Sequence, residues 1–161
     1  MAGITVRDLA EADLDWAVSV LDAELAGRWQ ARRGELVDVL ALPGLVAVSC
    51  GHPAGLLAYR LDGGQCEIEA LVATTLGVGI GTALLDELRR RVGPVPIRVV
   101  TTNDNLPARA FYEHHGFRLV AVRPGAVDEA RRTLKPTIGL LGHGGLPIRD
   151  ELEFLDDARG S

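Results

Sequence analysis

A glycine-rich segment lies between two predicted elements at residues 76 to 88, LGVGIGTALLDEL. Glycines such as Gly77, Gly79 and Gly81 can adopt backbone conformations that other residues avoid, and they let a ligand approach the main chain closely. The first N–H groups of the following helix have no partner within the helix, so they form a site for an anion such as a phosphate. Dinucleotide-binding folds and ordinary tight turns use the same residues, although here three predicted strands come first. By itself the segment leaves an anion site and a plain turn open.

A second pattern, TTNDNLPARAFYEHHGF, covers residues 101 to 117. Seven residues are close to two helical turns, so Asn105, Ala108 and Tyr112 share one face of a predicted helix. That face can point at one ligand. The alternative is that Asn105 caps the helix, with Pro107 in its first turn, and that Tyr112 is a core residue.

The elements around these two segments predict a mixed sheet with helices on its faces. The strand at 96–102 follows the helix that begins near Ile80, and a crossover of this kind makes its strand parallel to the one before the helix. The earlier apolar runs are separated by turn sequences, which indicates an antiparallel meander. Strands are predicted at residues 4–9, 45–50, 56–61, 66–73, 96–102, 117–122 and 146–154, and helices near residues 14–25, 34–42, 80–92, 106–115 and 126–134.

Composition and net charge exclude several classes of protein. The chain has 161 residues, of which 47% are hydrophobic, and a formal net charge of -5. We therefore expect a single folded domain over residues 1–161 and no binding to nucleic acid or to anionic membranes. The two cysteines, Cys50 and Cys66, lie in apolar runs and are predicted to be buried free thiols, and neither a CxxC nor an HxxxH metal motif occurs. Without a signal peptide or a spanning segment, the expected location is the cytoplasm.

Taken together, the two segments resemble the acyl-CoA-binding region of the GNAT N-acetyltransferase superfamily. In that family the first helix begins with the motif (Arg/Gln)-x-x-Gly-x-(Gly/Ala). About one strand later a second helix follows, which carries the motif Asn-x-x-Ala-x-x-x-Tyr and ends at a Gly-Phe pair. Gly79 and Gly81 match the first part. The second part is matched by Asn105, Ala108, Tyr112, Gly116 and Phe117.

The resemblance implies an α/β (α+β) GNAT fold: a mixed, mostly antiparallel sheet of six to seven strands with a V-shaped splay between the fourth and fifth. It also implies acetyl-CoA as acyl donor and no metal. Leu76 stands where the family usually carries Arg or Gln, so backbone donors and the hydroxyls of Thr74 and Thr75 are left to hold the pyrophosphate. The cofactor residues that it implies are Leu71, Val72, Ala73, Gly77, Val78, Gly79, Ile80, Gly81, Thr82, Asn105, Ala108 and Arg109.

For the chemistry, the resemblance implies direct attack of a neutral amine on the thioester. Tyr112 is similar in position to the general acid that protonates the leaving thiolate, and an ordinary tyrosine pKa near 10 is close to that of a thiol. Glu67 and Glu69 alternate onto one face of the strand that enters the site, and either is a candidate base for the incoming ammonium. The alternative is that both carboxylates lie on a solvated part of the sheet.

The acceptor is predicted to be a small-molecule or peptide amine bound between the N-terminal helices and the segment from Arg149 to Glu153, with Trp16, Glu24 and Trp29 as lining. A homodimer through the last strand is compatible with the sequence. The rival function is a GNAT-fold module that binds acyl-CoA or a protein partner without turnover, and a nucleotide-binding regulatory domain is the third.

Overall fold

A seven-stranded sheet organises the part of the chain described by the computed structural model, residues 3–157. Its strands are β1 (Ile4–Asp8), β4 (Gly44–Ser49), β5 (His52–Asp62), β6 (Gln65–Ala73), β7 (Ile97–Thr102), β8 (Arg118–Arg123) and β9 (Glu151–Asp156). A separate hairpin consists of β2 (Trp29–Arg32) and β3 (Glu35–Asp38). The helices are α1 (Leu14–Leu25), α2 (Ile80–Val92), α3 (Leu106–His114) and α4 (Ala126–Thr133).

The strand order is β1-β4-β5-β6-β7-β9-β8, and every neighbouring pair is antiparallel except β6 and β7. These two central strands pair in parallel only from Cys66 opposite Ile97 to Ile68 opposite Val99. Both strands continue beyond that point, so the fourth and fifth strands of the sheet splay apart. The predicted fold class, with its mixed, mostly antiparallel sheet, is confirmed.

Apolar side chains form a separate core on each face of the sheet. On one face α2 buries Leu84, Leu85 and Leu88 against a cluster that includes Phe154 of β9. On the other face α1 buries Leu21 among residues of β4, β5, β6 and the hairpin. Each helix thus covers one side of the strands that lead into the splay.

The helix predicted at residues 34–42 is wrong, because this segment forms β3 and a short 3-10 turn, Val39–Ala41. Arg33 and Gly34 both have positive φ, 51° and 77°, which closes a two-residue hairpin between β2 and β3. Outside the turn, the guanidinium of Arg28 donates two hydrogen bonds to the Asp38 carboxylate at 2.8 and 2.9 Å. Four-residue strands are too short to show alternation, so the apolar spacing of residues 36 to 40 was also compatible with a helix.

The strand β2 (Trp29–Arg32) has no counterpart among the predicted elements. The remaining strands and helices match their predictions within a few residues, except that β9 begins at Glu151 rather than at residue 146. Cys66 is buried as predicted, but Cys50 is exposed because it sits in the two-residue turn between β4 and β5 at φ 52°. None of the described helices combines the length and the apolar character needed to cross a membrane.

Candidate functional site

A cavity of about 630 Å³ lies where the glycine-rich turn, the end of β6 and helix α3 meet. It opens beside the splay and brings together the two segments that the sequence singled out. Predicted site residues that line it are Leu71, Val72, Ala73, Gly77, Gly79, Ile80, Gly81, Thr82, Asn105, Ala108 and Tyr112. Val78, Arg109, Glu67 and Glu69 are not among its lining residues.

The turn before α2 presents the open end of the helix to the cavity. Gly79, at φ 89°, stands at the N-cap and no side chain caps the helix, so its first N–H groups remain available. Leu76 is 77% exposed. The hydroxyl of Thr74 bonds to the Ala54 carbonyl oxygen at 3.0 Å, so this group is already engaged and does not replace a missing Arg or Gln. Main-chain donors and Thr75, which lines the cavity, are thus the groups that this turn can offer an anion.

Helix α3 is held tightly against α2. Added at Gly81, a Cβ atom would lie 3.1 Å from the Phe111 ring, which shows how closely the two helices approach. His115 bonds to the Thr82 hydroxyl through Nε2 at 3.0 Å and to the Phe111 carbonyl through Nδ1 at 2.8 Å. The histidine therefore joins the end of α3 to the start of α2.

Asn105 both caps α3 and lines the cavity, so its capping role does not exclude a position next to a ligand. Its Oδ1 accepts a hydrogen bond from the Ala108 N–H at 3.1 Å. Arg109 instead lies 3.6 Å from the Glu113 carboxylate on the same helix. The structure therefore gives Arg109 no place in the cavity wall.

Tyr112 reaches the cavity from an apolar surrounding. It is 5% exposed, and its ring contacts Phe111, Phe117 and Phe154 with centroids 5.3, 5.3 and 6.3 Å apart. Burial raises the pKa of the Tyr112 phenol above its usual value, and only the positive charge of Arg32 opposes this. The phenol is therefore protonated at neutral pH, but its pKa is not as well matched to a thiol as the sequence suggested.

The β6 strand offers an unpaired edge to the same cavity. Pairing with β7 ends at Ile68, so within residues 3–157 no strand covers this edge from Glu69 to Ala73. A β-bulge marks the change, because Ala58 pairs with Ala70 and Tyr59 with Ile68, which leaves Glu69 without a partner on β5. Backbone groups of 71–73 that face away from β5 are thus free to bind a ligand.

Glu67 and Glu69 are buried, 8% and 3% exposed, so a solvated sheet surface is wrong for both. Glu67 forms an ion pair with Arg33 from the turn of the hairpin. Glu69 Oε2 lies 3.6 Å from Arg60 Nε, whereas its Oε1 is buried without a hydrogen-bond partner. Burial, with a smaller contribution from the charge of Glu67, raises the pKa of Glu69 to about 7.

Arg32 is a site residue that the sequence analysis did not single out. Its charge acts on Glu151, Glu69, Glu67 and the phenol of Tyr112, so it lies near both the candidate base and the candidate acid. Local sequence carries no signal for this role, because the hairpin brings Arg32 to β6 across more than 30 residues of chain.

The C-terminal segment also completes the cavity wall, through His143. Asp104 Oδ2 accepts a hydrogen bond from the His143 N–H at 3.0 Å. Asn103 Oδ1 accepts from the N–H groups of Arg149 and Asp150, both at 2.9 Å. The side chains of Asn103 and Asp104, in the second motif, thus fix the position of this segment. In the sequence, the only indication of this role is that two polar side chains stand next to each other.

A second cavity of about 640 Å³ lies on the hairpin side of the splay. Its charged lining residues are Arg33, Arg98, Arg123, Glu129, Glu151 and Glu153. Glu151 and Glu153 belong to the segment that was predicted to contribute to the acceptor pocket. Three further residues were predicted to line the acceptor pocket. Of these, Trp16 packs against the core beneath α1 and Trp29 is 49% exposed, while Glu24 lines the first cavity instead.

Comparisons with known proteins agree with this geometry. The chain is 42% identical over 117 residues to the uncharacterized protein YdhI of Bacillus subtilis, a match that covers 70% of this chain and 72% of that protein. Its fold is similar to that of the IAA acetyltransferase from Bacillus cereus, with a TM-score of 0.72, 17% identity and coverage of 94% and 97%. Naa50 of Arabidopsis thaliana, solved in complex with the bisubstrate analogue CoA-Ac-MVNAL, gives a TM-score of 0.69, 16% identity and coverage of 96% and 99%.

Residues 7–117, more than half of the chain, match the Acetyltransferase (GNAT) family. The family match and the shared fold agree with the glycine-rich turn, the splayed strands and the tyrosine that meet at one cavity. The chain therefore belongs to the GNAT acetyltransferase family.

Proposed function

We propose that this protein is a single-domain, cytoplasmic N-acetyltransferase that transfers an acetyl group from acetyl-CoA to the amine of a small molecule or peptide. The observation that carries the proposal is the convergence of the open end of α2, the free edge of β6 and the Tyr112 phenol on one cavity. Family membership and the CoA-containing analogue bound to a protein of the same fold support the donor.

The residues around the cavity fit a CoA-type donor, which when bound supplies a thioester carbonyl for attack. N–H groups of residues 80–82 offer the pyrophosphate donors and the favourable end of the α2 dipole. The uncovered edge at 71–73 offers hydrogen bonds to an extended amide arm and to the thioester oxygen. An acidic protein can bind such an anion because these donors act locally.

Glu69 is the base in this proposal. A carboxylate with a pKa of about 7 is both ionised to a useful extent at neutral pH and basic enough to accept a proton from an ammonium ion, directly or through water. Its unpartnered Oε1 is the atom available for that proton. Glu67, which is held by Arg33, contributes mainly the negative charge that helps to raise the pKa of Glu69.

Tyr112 is the acid. The amine nitrogen forms a bond to the thioester carbon, the carbon–sulfur bond breaks, and the phenol donates its proton to the departing sulfur. The attacking nitrogen then loses its second proton to the phenolate, directly or through water, which gives the neutral amide and restores the phenol. Burial keeps the phenol protonated until that moment, and the positive charge of Arg32 lowers the cost of the transient phenolate.

The Tyr112→Phe variant tests this assignment. We expect kcat to fall by about a hundredfold or more, because removal of a positioned proton donor costs 10²–10⁴ in rate. Thiol release from acetyl-CoA in the presence of an amine panel is the readout, and CoA binding measured by calorimetry should persist. Tyr59, the other tyrosine of the chain, is the matched control, since it lies outside the cavity lining. Equal activity of wild type and Tyr112→Phe would show that the phenol is not the acid.

A second candidate is a module that binds acyl-CoA without turning it over. Two observations favour it: an exposed leucine at position 76 of the turn, and a phenol whose pKa burial moves away from that of a thiol. The same assay separates the two functions. CoA binding without acetylation of any amine by the wild type would support the module.

A further inference from the structure

Two cations are connected by hydrogen bonds, directly or through Gln30, to Leu25, which lines the first cavity, although neither cation is itself a lining residue. Lys135 is the only lysine of the chain and follows α4, whereas Arg32 belongs to the β2–β3 hairpin. Lys135 Nζ lies 3.4 Å from the Leu25 carbonyl oxygen, and Leu25 lines the cavity. The side chain of Gln30 completes the link, because its Nε2 donates to the same carbonyl at 2.9 Å and its Oε1 accepts from Arg32 Nη2 at 3.3 Å.

Within residues 3–157 neither cation forms a close ion pair, although the charges of Glu151, Glu69 and Glu67 act on Arg32 from a greater distance. Glu67 is paired with Arg33, Glu69 with Arg60, and Glu151 with Arg123. Arg32 instead donates to uncharged oxygens of Ala31 and Gln30, and Lys135 to that of Leu25. Half-buried cations are normally paired, because removing a charge from water without a counter-ion is unfavourable.

The two charges also repel each other. Burial lowers the pKa of the Lys135 ammonium, and the charge of Arg32 lowers it further. An anion bound between them would relieve this repulsion and replace the lost hydration. A planar guanidinium and an adjacent ammonium provide donors for the two oxygens of a carboxylate.

Arg32 also lies close enough to Glu69 for their charges to interact, so an anion held at Arg32 is a short distance from the proposed base. We propose that Arg32 and Lys135 form a subsite for a carboxylate of the acceptor, so that the substrate class is an amino acid or a similarly short amine that carries a free carboxylate. This inference rests on the proposed acetyl transfer for the placement of the amine at Glu69.

The kinetic test compares α-amino acids with their C-terminal amides as acceptors. We expect wild type to prefer the free carboxylate by about tenfold or more in kcat/KM, mainly through KM. The reason is that a hydrogen bond to a charged group typically strengthens binding by about tenfold or more. Lys135→Gln and Arg32→Gln should each bring this ratio close to one. The control Arg90→Gln, which removes an exposed guanidinium on α2, should leave the ratio as it is in wild type. Ratios within each variant cancel the difference in amine basicity between acid and amide.

A binding test reads the subsite without catalysis. Reductive methylation with ¹³C keeps the charge of Lys135 and gives one side-chain NMR signal, since the chain has one lysine. N-acetylleucine, which has no reactive amine, should shift this signal saturably and raise the pKa of Lys135, whereas N-acetylleucinamide should not.

The outcomes separate the two proposals. Acetylation of acids and amides at equal ratios in all variants, with no shift of the Lys135 signal, overturns the carboxylate subsite and leaves acetyl transfer intact. Acetylation of no amine, with a saturable shift by N-acetylleucine, supports the subsite and overturns the proposed function. A stronger response to an aminophosphonate than to the matching amino acid overturns the choice of a carboxylate.

Discussion

At the scale of single residues, the site depends on charged side chains that are buried without a full set of hydrogen-bond or ion-pair partners. Glu69 illustrates this, because one of its oxygens lies near Arg60 while the other has no hydrogen-bond partner. Its identity as a candidate base was predicted from position on the strand. Its burial was not, because β2 is not predicted and β3 lies in a segment predicted as a helix, and a raised pKa depends on neighbours that only the fold brings together.

The pH dependence of the reaction tests Glu69. Its ionised form accepts the proton, so kcat/KM should rise with pH and change slope near pH 7. Glu69→Gln should lower the rate by about a hundredfold or more and remove this change of slope, leaving only the rise due to the acceptor amine. A pH–rate profile from pH 5.5 to about 8.5 is the measurement.

Glu67→Gln is the matched control for that profile. Removing the negative charge of Glu67 leaves the positive charge of Arg33 unpaired, and both changes favour ionised Glu69. The change of slope should therefore move to lower pH and not disappear. A profile of Glu69→Gln identical to that of wild type would assign the base to another group.

At the scale of elements, helices with long apolar faces were predictable and the short hairpin was not. The bounds of α2 and α3 follow from their caps and spacing, which are local properties of the sequence. The β2–β3 hairpin is stabilised by contacts with distant residues, such as the ion pair between Arg33 and Glu67. The β-bulge at Glu69 likewise arises from pairing with β5, so no local pattern indicates it.

Close contact between α2 and β5 gives a prediction for stability. At Gly55 an added Cβ atom would lie 2.4 Å from Ile80 Cγ2 and 2.9 Å from Leu84 Cδ1. Gly55→Ala should therefore lower the free energy of unfolding by about 1–3 kcal/mol, because α2 must move away from the sheet. Urea denaturation measures the change.

Gly139→Ala is the control for that measurement, since the nearest atom to its added Cβ would be at an ordinary 3.6 Å. Its effect should remain within about 0.5 kcal/mol. Equal stability of Gly55→Ala and wild type would show that α2 does not pack as closely as described.

At the scale of the whole molecule, one cavity is lined by the end of β6 together with α2 and α3, and a second by the hairpin, α4 and β9. The mixed sheet and the meeting of the two motifs could be predicted, because the motifs follow strands that a crossover makes parallel. The second cavity could not, because the hairpin, α4 and β9 contribute to its lining from three separate parts of the sequence.

Hydrogen exchange tests this organisation. Addition of CoA at 100 times its Kd should slow amide exchange at residues 71–73 and 80–82 by up to about a hundredfold, because exchange then requires ligand release. Residues 118–123, on the far edge of the sheet, should exchange as before. Protection confined to the far edge would place the donor elsewhere.

The position of β9 has a consequence for how the protein is made. β9 pairs with β7 on one side and with β8 on the other, although it follows both in the chain. While the chain leaves the ribosome, β7 and β8 emerge first and have no contact through the sheet until Glu151–Asp156 is inserted between them. Closure of the sheet thus waits until residues 151–156 have been translated, and a nascent chain released before residue 151 would expose two unpaired strand edges to other chains.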